Sequence, residues 1–248
     1  MAGLDWLTAR PIAHRGLHDA AGGIVENTAS AFAAAIAGNY GIECDVQISA
    51  DGEAMVHHDD ALGRLTEGTA RLAEMSAADI KRALFRQTSD RIQTLGELCD
   101  QVAGRSTLVI EIKSHFDGNA VLPRRVGQVL QGYAGPVAVM SFDPDQVEAV
   151  SMAAPGLPRG IVAERHYTHP EWDGLSAGAR FQLAHLLHAF RTRPHFVAYG
   201  VKDLPAFAPL LARLAFGLPL LTWTVRSDAD RHCARRYASQ MIFEGFRP

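Results

Sequence analysis

The ten residues Gln47–Val56, QISADGEAMV, decide the fold. Two alternating apolar runs flank Asp51-Gly52, a pair suited to a tight turn because glycine enters left-handed backbone without steric cost. Outward from this turn, short apolar runs alternate with amphipathic segments along the chain. The runs that read as strands are PIAH (11–14), GIECDVQIS (41–49), EAMVHHD (53–59), TLVIEIK (107–113), PVAVMSF (136–142), RGIVAE (159–164), HFVAYGV (195–201), PLLTWTV (219–225) and QMIFEGF (240–246). Parallel neighbours need a crossover of about a dozen residues or more, which Asp51-Gly52 cannot supply. The second and third runs therefore form an antiparallel hairpin. The other runs alternate with helical patterns and suit an α/β fold, a distorted (β/α)8 TIM barrel. A doubly wound open sheet is the alternative, but no glycine-rich phosphate fingerprint accompanies it.

The helical patterns are NTASAFAAAIAGN (27–39), SAADIKRALF (76–85), TLGELCDQVAG (94–104), DPDQVEAVSMAA (143–154), SAGARFQLAHLLHAF (176–190), LPAFAPLLARLAFG (204–217) and SDADRHCARRYAS (227–239). The first opens on Asn27 or Thr28 as its N-cap. In the fifth, Phe181, Ala184, Leu187 and Phe190 are spaced as a core-facing stripe.

A chain of 248 residues with 48% hydrophobic and 21% charged residues has ample material for a core, and residues 1–248 read as a single domain. The net charge of −3 gives no electrostatic case for nucleic acid or an anionic membrane surface. Cys44, Cys99 and Cys233 show neither a disulfide framework nor zinc-ligand spacing, which suits a reducing compartment. The N-terminal residues lack the pattern of a signal peptide. The most apolar window, 204–223, is interrupted by Arg213 and by Pro205, Pro209 and Pro219, against a membrane span. The expectation is a soluble, cytoplasmic protein without stable membrane insertion, its oligomeric state unassigned.

If Asp51 and Gly52 form a two-residue turn, Asp45 faces His58 and Glu43 faces Asp60. Side chains alternate along a strand, so Glu43, Asp45 and His58 converge while His57 points away. In TLVIEIKS, Glu111 and Lys113 share one face and Ile110 and Ile112 the other. Glu43, Asp45 and Glu111 suit one hard divalent cation, Mg²⁺ or Ca²⁺. A zinc site from His14, His57 and His58 is the alternative, but His-x-His spacing is absent. His14 and Arg15 close the first strand at the catalytic mouth of a barrel. Arginine suits bidentate phosphate recognition, and two histidines flanking an anion can serve as general acid and base.

HRG (14–16), ENT (26–28), ECD (43–45), DGEAMVHHDDALGRLTEGT (51–69), IQTLGEL (92–98), EIK (111–113), SFDP (141–144) and WTV (223–225) together resemble the glycerophosphodiester phosphodiesterase family, in order and over nearly the whole chain. The resemblance implies a distorted TIM barrel and hydrolysis of glycerophosphodiesters to glycerol 3-phosphate and an alcohol such as choline or ethanolamine. It implies His14 and His58 as the acid–base pair. Glu43, Asp45 and Glu111 become metal ligands, Arg15 and Lys113 phosphate contacts, and Trp223 the aromatic against the glycerol. Glu26 and Asn27 are expected beside the loop of His14.

The chain departs from the family pattern at Val25, at Arg226 and at Glu244-Gly245. Arg226 either contacts an anionic leaving group or is a solvated first-turn residue, and Arg64 is read as fixing the turn after the hairpin. The segment 164–195 is the least family-like. Its five histidines (His166, His169, His185, His188, His195) suit structural or surface roles better than a second metal, and HYTHPEWDGL (166–175) reads as a lid. Two rivals remain: a phospholipase-D-like enzyme acting on lysolipids, and a non-catalytic binding barrel.

Overall fold

The computed structural model describes residues 3–248. All the expected strands form: β1 Ile12–Ala13, β2 Gly41–Ile48, β3 Ala54–Val56, β4 Leu108–Ile112, β5 Val137–Ser141, β6 Arg159–Ala163, β7 Phe196–Gly200, β8 Leu220–Val225 and β9 Gln240–Phe243. The sheet order is β1-β9-β8-β7-β6-β5-β4-β2-β3, and a further β1–β2 pairing closes it. Every pairing around the barrel is parallel; only β3 runs antiparallel, on β2. The protein is therefore an eight-stranded parallel α/β barrel with a hairpin appended to its second strand.

The hairpin is one residue out of the expected register. Val46 pairs with Val56, Gln47 with Met55 and Ile48 with Ala54. The loop has three residues rather than two: Ser49 N–H donates to Glu53 O, Gly52 N–H returns to Ser49 O, and Gly52 takes φ +83. A type I turn ending in a left-handed glycine is the usual three-residue solution. Asp45 consequently pairs through its backbone not with His58 but with His57, whose N–H donates to Asp45 O at 3.0 Å. The strand ends at Val56, so the predicted Glu43–Asp60 facing pair does not form; Asp60 lies at the rim, 2.9 Å from Arg71 and His115.

Alternation along the strands divides the core in two. Ile42, Cys44 and Val46 of β2 and Ile110 and Ile112 of β4 point outward, under helices Ala29–Ala37, Leu95–Val102 and Val121–Leu130. Ile12, Val109, Ala138, Met140, Val162, Phe196, Ala198, Leu221 and Ile242 fill the barrel, with Leu7 of the short helix Asp5–Thr8 among them. Gly160 makes room for the buried Phe196 ring: a Cβ there would lie 2.4 Å from it. Thr28 is the N-cap of Ala29–Ala37, accepting from Ala31 N–H.

The expected helix 176–190 is broken. It forms Ala177–Ala184 and Ala189–Thr192, separated by a turn in which Leu186 takes φ +56. The proposed stripe fails with it. Phe181, Leu187 and Phe190 are exposed, and Leu183, Ala184 and Leu186 are the buried apolar residues. His185 ends the first of these helices and His188 precedes the second, so the two histidines lie on no common helix. The helix Val121–Leu130 escaped the sequence reading because it carries Pro123, which a first helical turn tolerates. Among the described residues, no helix is long and apolar enough to cross a membrane.

Candidate active site

The candidate acid–base, metal and phosphate residues and Trp223 line one cleft of about 680 Å³ at the C-terminal mouth of the barrel: His14, Arg15, Glu43, Asp45, His58, Glu111, Lys113 and Trp223. Glu43 and Asp45 are inward residues of β2, and Glu111 holds the same position on β4, in register with Asp45. One oxygen from each of the three carboxylates lies within 4.8 Å of the others, and all three residues are buried. Burying three acids together is costly without compensating positive charge. Burial, with Asp45 and Glu111 nearby, pushes the Glu43 carboxyl well above the usual range. Asp45 moves the other way: burial opposes ionisation, but Lys113, His58 and Arg15 outweigh it.

The basic residues grip the same cluster. Lys113 Nζ lies 2.6 Å from Glu111 Oε1 and 2.8 Å from Asp45 Oδ1. Arg15 donates its backbone N–H to Glu43 Oε2 at 2.9 Å, its Nη1 to Glu26 at 2.6 Å, and places Nε 3.4 Å from Asp45. Burial would lower the Arg15 and Lys113 pKa values, yet the adjacent carboxylates hold both above their ordinary values. Asn27, buried and at φ +54, donates to Asp45 Oδ2 and accepts the Asp45 N–H. Glu26 and Asn27 thus stand beside the loop of His14, as expected. Arg64 does more than fix a turn: it bonds both Glu26 and Asp59. Burial opposes ionisation of Glu26, but Arg64 and Arg15 draw it down to about 2.

His14 and His58 are each backed by a carboxylate that an arginine holds. His14 Nδ1 lies 2.6 Å from Glu244 Oε2, and Arg226 clamps Glu244 through Nε at 3.1 Å and Nη2 at 2.9 Å. His58 Nδ1 lies 2.8 Å from Asp59 Oδ1, and Arg64 Nε bonds Asp59 Oδ2 at 2.7 Å. Burial works against ionisation of both Glu244 and Asp59. Their histidine and arginine partners nonetheless hold each below the usual carboxylate range. An ionised carboxylate only accepts, so each Nδ1 carries the proton and each Nε2 is left as the reactive nitrogen. Burial depresses the His14 pKa against the opposing hydrogen bond that its ring donates to Glu244. Its Nε2 lies 3.9 Å from Glu43 Oε2, facing the acidic cluster.

His57 is buried and lies outside the cleft lining; burial pushes its pKa down to about 4. His58 enters the cleft because the chain leaves β3 after Val56, not because of its register. Sequence reasoning missed the Glu244–Arg226 and Asp59–Arg64 supports. Asp59 adjoins His58 and could have been found. Glu244 stands 230 positions from His14, and only the pairing of β1 with β9 unites them.

The donor set fits a hard divalent cation: Glu43, Asp45 and Glu111 offer only carboxylate oxygens, and the excess of buried negative charge around Glu43 calls for one. The zinc alternative is not formed, since His57 stays outside the cleft.

The glycerophosphoryl diester phosphodiesterase family model matches residues 14–244. Human glycerophosphodiester phosphodiesterase 1 is 34% identical, over 96% of this chain and 79% of its own length. A Bacillus subtilis glycerophosphodiester phosphodiesterase is 27% identical, over 89% of this chain and 78% of its own. An Oleispira antarctica phosphodiesterase, solved with the product sn-glycerol-3-phosphate, superposes with a TM-score of 0.76 at 19% identity, over 96% of this chain and 94% of its own. The chain belongs to the glycerophosphoryl diester phosphodiesterase family and is, with it, a phosphoric diester hydrolase.

Proposed function

We propose that this cleft hydrolyses glycerophosphodiesters to glycerol 3-phosphate and an alcohol, with His14 and His58 as its acid–base pair. The observation that carries this is convergence: three buried carboxylates, two cations and two carboxylate-backed imidazoles line one cleft. Glu43, Asp45 and Glu111 would hold a divalent cation, Mg²⁺ or Ca²⁺, which when bound supplies Lewis-acid polarisation of the phosphate. Arg15 and Lys113 bind the phosphoryl oxygens and offset the charge that develops on them. Trp223 forms a wall of the cleft against the glycerol moiety.

His14 Nε2, unprotonated because Glu244 fixes the proton on Nδ1, accepts the proton of the glycerol hydroxyl beside the phosphoester. That hydroxyl oxygen bonds to phosphorus as the bond to the departing alcohol breaks. His58, in its protonated form, donates from Nε2 to the leaving oxygen. Water then opens the cyclic phosphate with the two histidines exchanging roles. The half-buried placement of both rings keeps them accessible to the substrate and to bulk proton exchange.

The test is a diester panel followed by enzymatic oxidation of released glycerol 3-phosphate. His14→Ala and His58→Ala should each lose at least about 10²-fold in kcat while remaining folded, the scale expected of general acid–base catalysis. Near-normal turnover in either variant removes that residue from the mechanism.

A further inference from the structure

Part of the most apolar stretch of the sequence faces water. The helix Phe207–Phe216, FAPLLARLAF, turns one side to the barrel: Pro209 is buried, and Ala208, Leu210 and Ala212 pack over β6, β7 and β8. The opposite side of a solvated helix is normally polar. Here it carries Phe207, Leu211 and Leu214 on successive turns and no charge, since Arg213 leans aside to donate from Nη1 to Tyr237 O at 2.9 Å. Phe207 is 79% exposed, Leu214 76% and Phe216, at the helix end, 69%. The short helix Ala189–Thr192 joins the same outer layer through Ala189 and adds Phe190, 89% exposed, with Phe181 and Leu187 before it. Seven of the ten large apolar side chains exposed among the described residues thus fall between 181 and 216. Scattered singly they would need no explanation; gathered on one flank they mark a surface that something covers.

Charge says what covers it. Residues 174–227 hold six lysines and arginines against one acid, Asp203, in a chain whose net charge is −3. The net value hides this local excess. Arg193 follows the helix Ala189–Thr192, Arg213 lies in the last turn of Phe207–Phe216, and Arg235 and Arg236 lie in the last turn of the final helix, Asp228–Tyr237. Arg236 stands over the Tyr237 ring whose backbone carbonyl Arg213 meets. Each of these helices ends just before the strand that follows it, so the four arginines rim the flank at the end of the barrel away from the cleft. Among the described residues, none of the four pairs with a carboxylate. Their neighbours differ: Arg191 pairs with Asp145 and Glu148, and Arg231 with Asp228.

We propose that this flank is a peripheral docking surface for an anionic phospholipid bilayer. The outward side chains of Phe190, Phe207, Leu211 and Leu214 enter the boundary between headgroups and acyl chains, and the arginine rim meets the lipid phosphates, as for an amphipathic helix lying in the interface. A second copy fits less well. A two-fold contact sets the patch against itself and brings to these arginines only Asp203, which already accepts the Arg165 N–H. The cleft opens at the strands' C-terminal ends, so docking through the flank leaves it unobstructed. The surface lies outside the cleft and does not depend on its chemistry.

The test is co-sedimentation of the full chain with two kinds of large unilamellar vesicle, phosphatidylcholine alone and phosphatidylcholine mixed with phosphatidylglycerol. The expected result is binding to the mixed vesicles at least about tenfold tighter than to phosphatidylcholine alone, weakening as salt rises. Phe207→Ser with Leu214→Ser, and separately Arg235→Gln with Arg236→Gln, should each weaken it by about tenfold or more. All four side chains are exposed and outside the cleft lining, so both variants should keep the parent's thermal melt and its turnover of a soluble diester. No vesicle binding, equal binding to the two vesicle kinds, or binding undiminished in either variant overturns the proposal. A dimer in solution that Phe207→Ser with Leu214→Ser dissociates also overturns it, and makes a second copy the occupant.

Discussion

His14 shows what single residues contribute. Its ring is fixed by a 2.6 Å contact to Glu244, which Arg226 holds from the other side. We predict that Glu244→Ala lowers kcat by about 10–100-fold, the usual cost of losing a carboxylate behind a functional histidine. KM should change little, and Glu244→Asp should recover part of the rate. Steady-state kinetics separate the two constants; a loss confined to KM would show that Glu244 serves substrate binding instead. The paired carboxylates of the cleft were legible as residue types in a pattern, because alternation places Glu43 with Asp45 and Glu111 with Lys113. Glu244 was not, because it stood out only as a departure from a familiar ending. Its partner lies across the closing seam of the barrel, and nothing local announces that.

Secondary-structure elements were legible to the extent that their signal is periodic. The strands emerged from short apolar runs, and Thr28 marked its helix by capping. The hairpin register did not, since a two-residue and a three-residue loop place the same Asp-Gly differently and a one-residue slip exchanges faces. His58 reached the cleft because the strand stops short of it. The segment 177–192 misled because its apolar residues keep helical spacing across a break at Leu186.

Two predictions belong at this scale. Gly160→Ala on β6 drives a methyl group against the Phe196 ring and should cost about 1–3 kcal/mol, as overpacking does; urea unfolding measures it, and an unchanged midpoint would show that the ring can yield. His188, beside the break, has both ring nitrogens buried without partners, and burial with nearby Arg191 lowers its pKa to about 4. The unfolded state binds a proton near pH 6.5 while the folded state resists, so stability is complete above 6.5 and falls as pH drops from 6.5 through 4. His188→Leu should therefore be more stable than the parent, with a gap widening by up to about 3 kcal/mol on acidification, at about 1.4 kcal/mol per pKa unit. Denaturant melts at several pH values check this; a gap independent of pH would place the imidazole in water.

Over the whole molecule, an apolar plug inside the barrel supports a charged cluster at its mouth, and the two have opposite energetic signs. Burial of Ile12, Val109, Phe196 and Ile242 stabilises the fold, whereas Glu43 is held there at a cost that Arg15 offsets only in part. A divalent cation that binds the folded state should stabilise it through mass action, by about 2.7 kcal/mol at a hundredfold excess over Kd, and so raise Tm. Glu43→Gln should blunt that rise while leaving the metal-free protein no less stable. Differential scanning with Mg²⁺ and Ca²⁺ decides it, and a Tm indifferent to both ions would remove the carboxylates from metal binding.

The most direct test of the cleft as a metal-assisted phosphodiesterase site is release of glycerol 3-phosphate from glycerophosphocholine, before and after EDTA and again on adding back Mg²⁺ or Ca²⁺. We predict turnover that EDTA abolishes and one of these ions restores. Sustained turnover in EDTA, or no release with either ion, would contradict it.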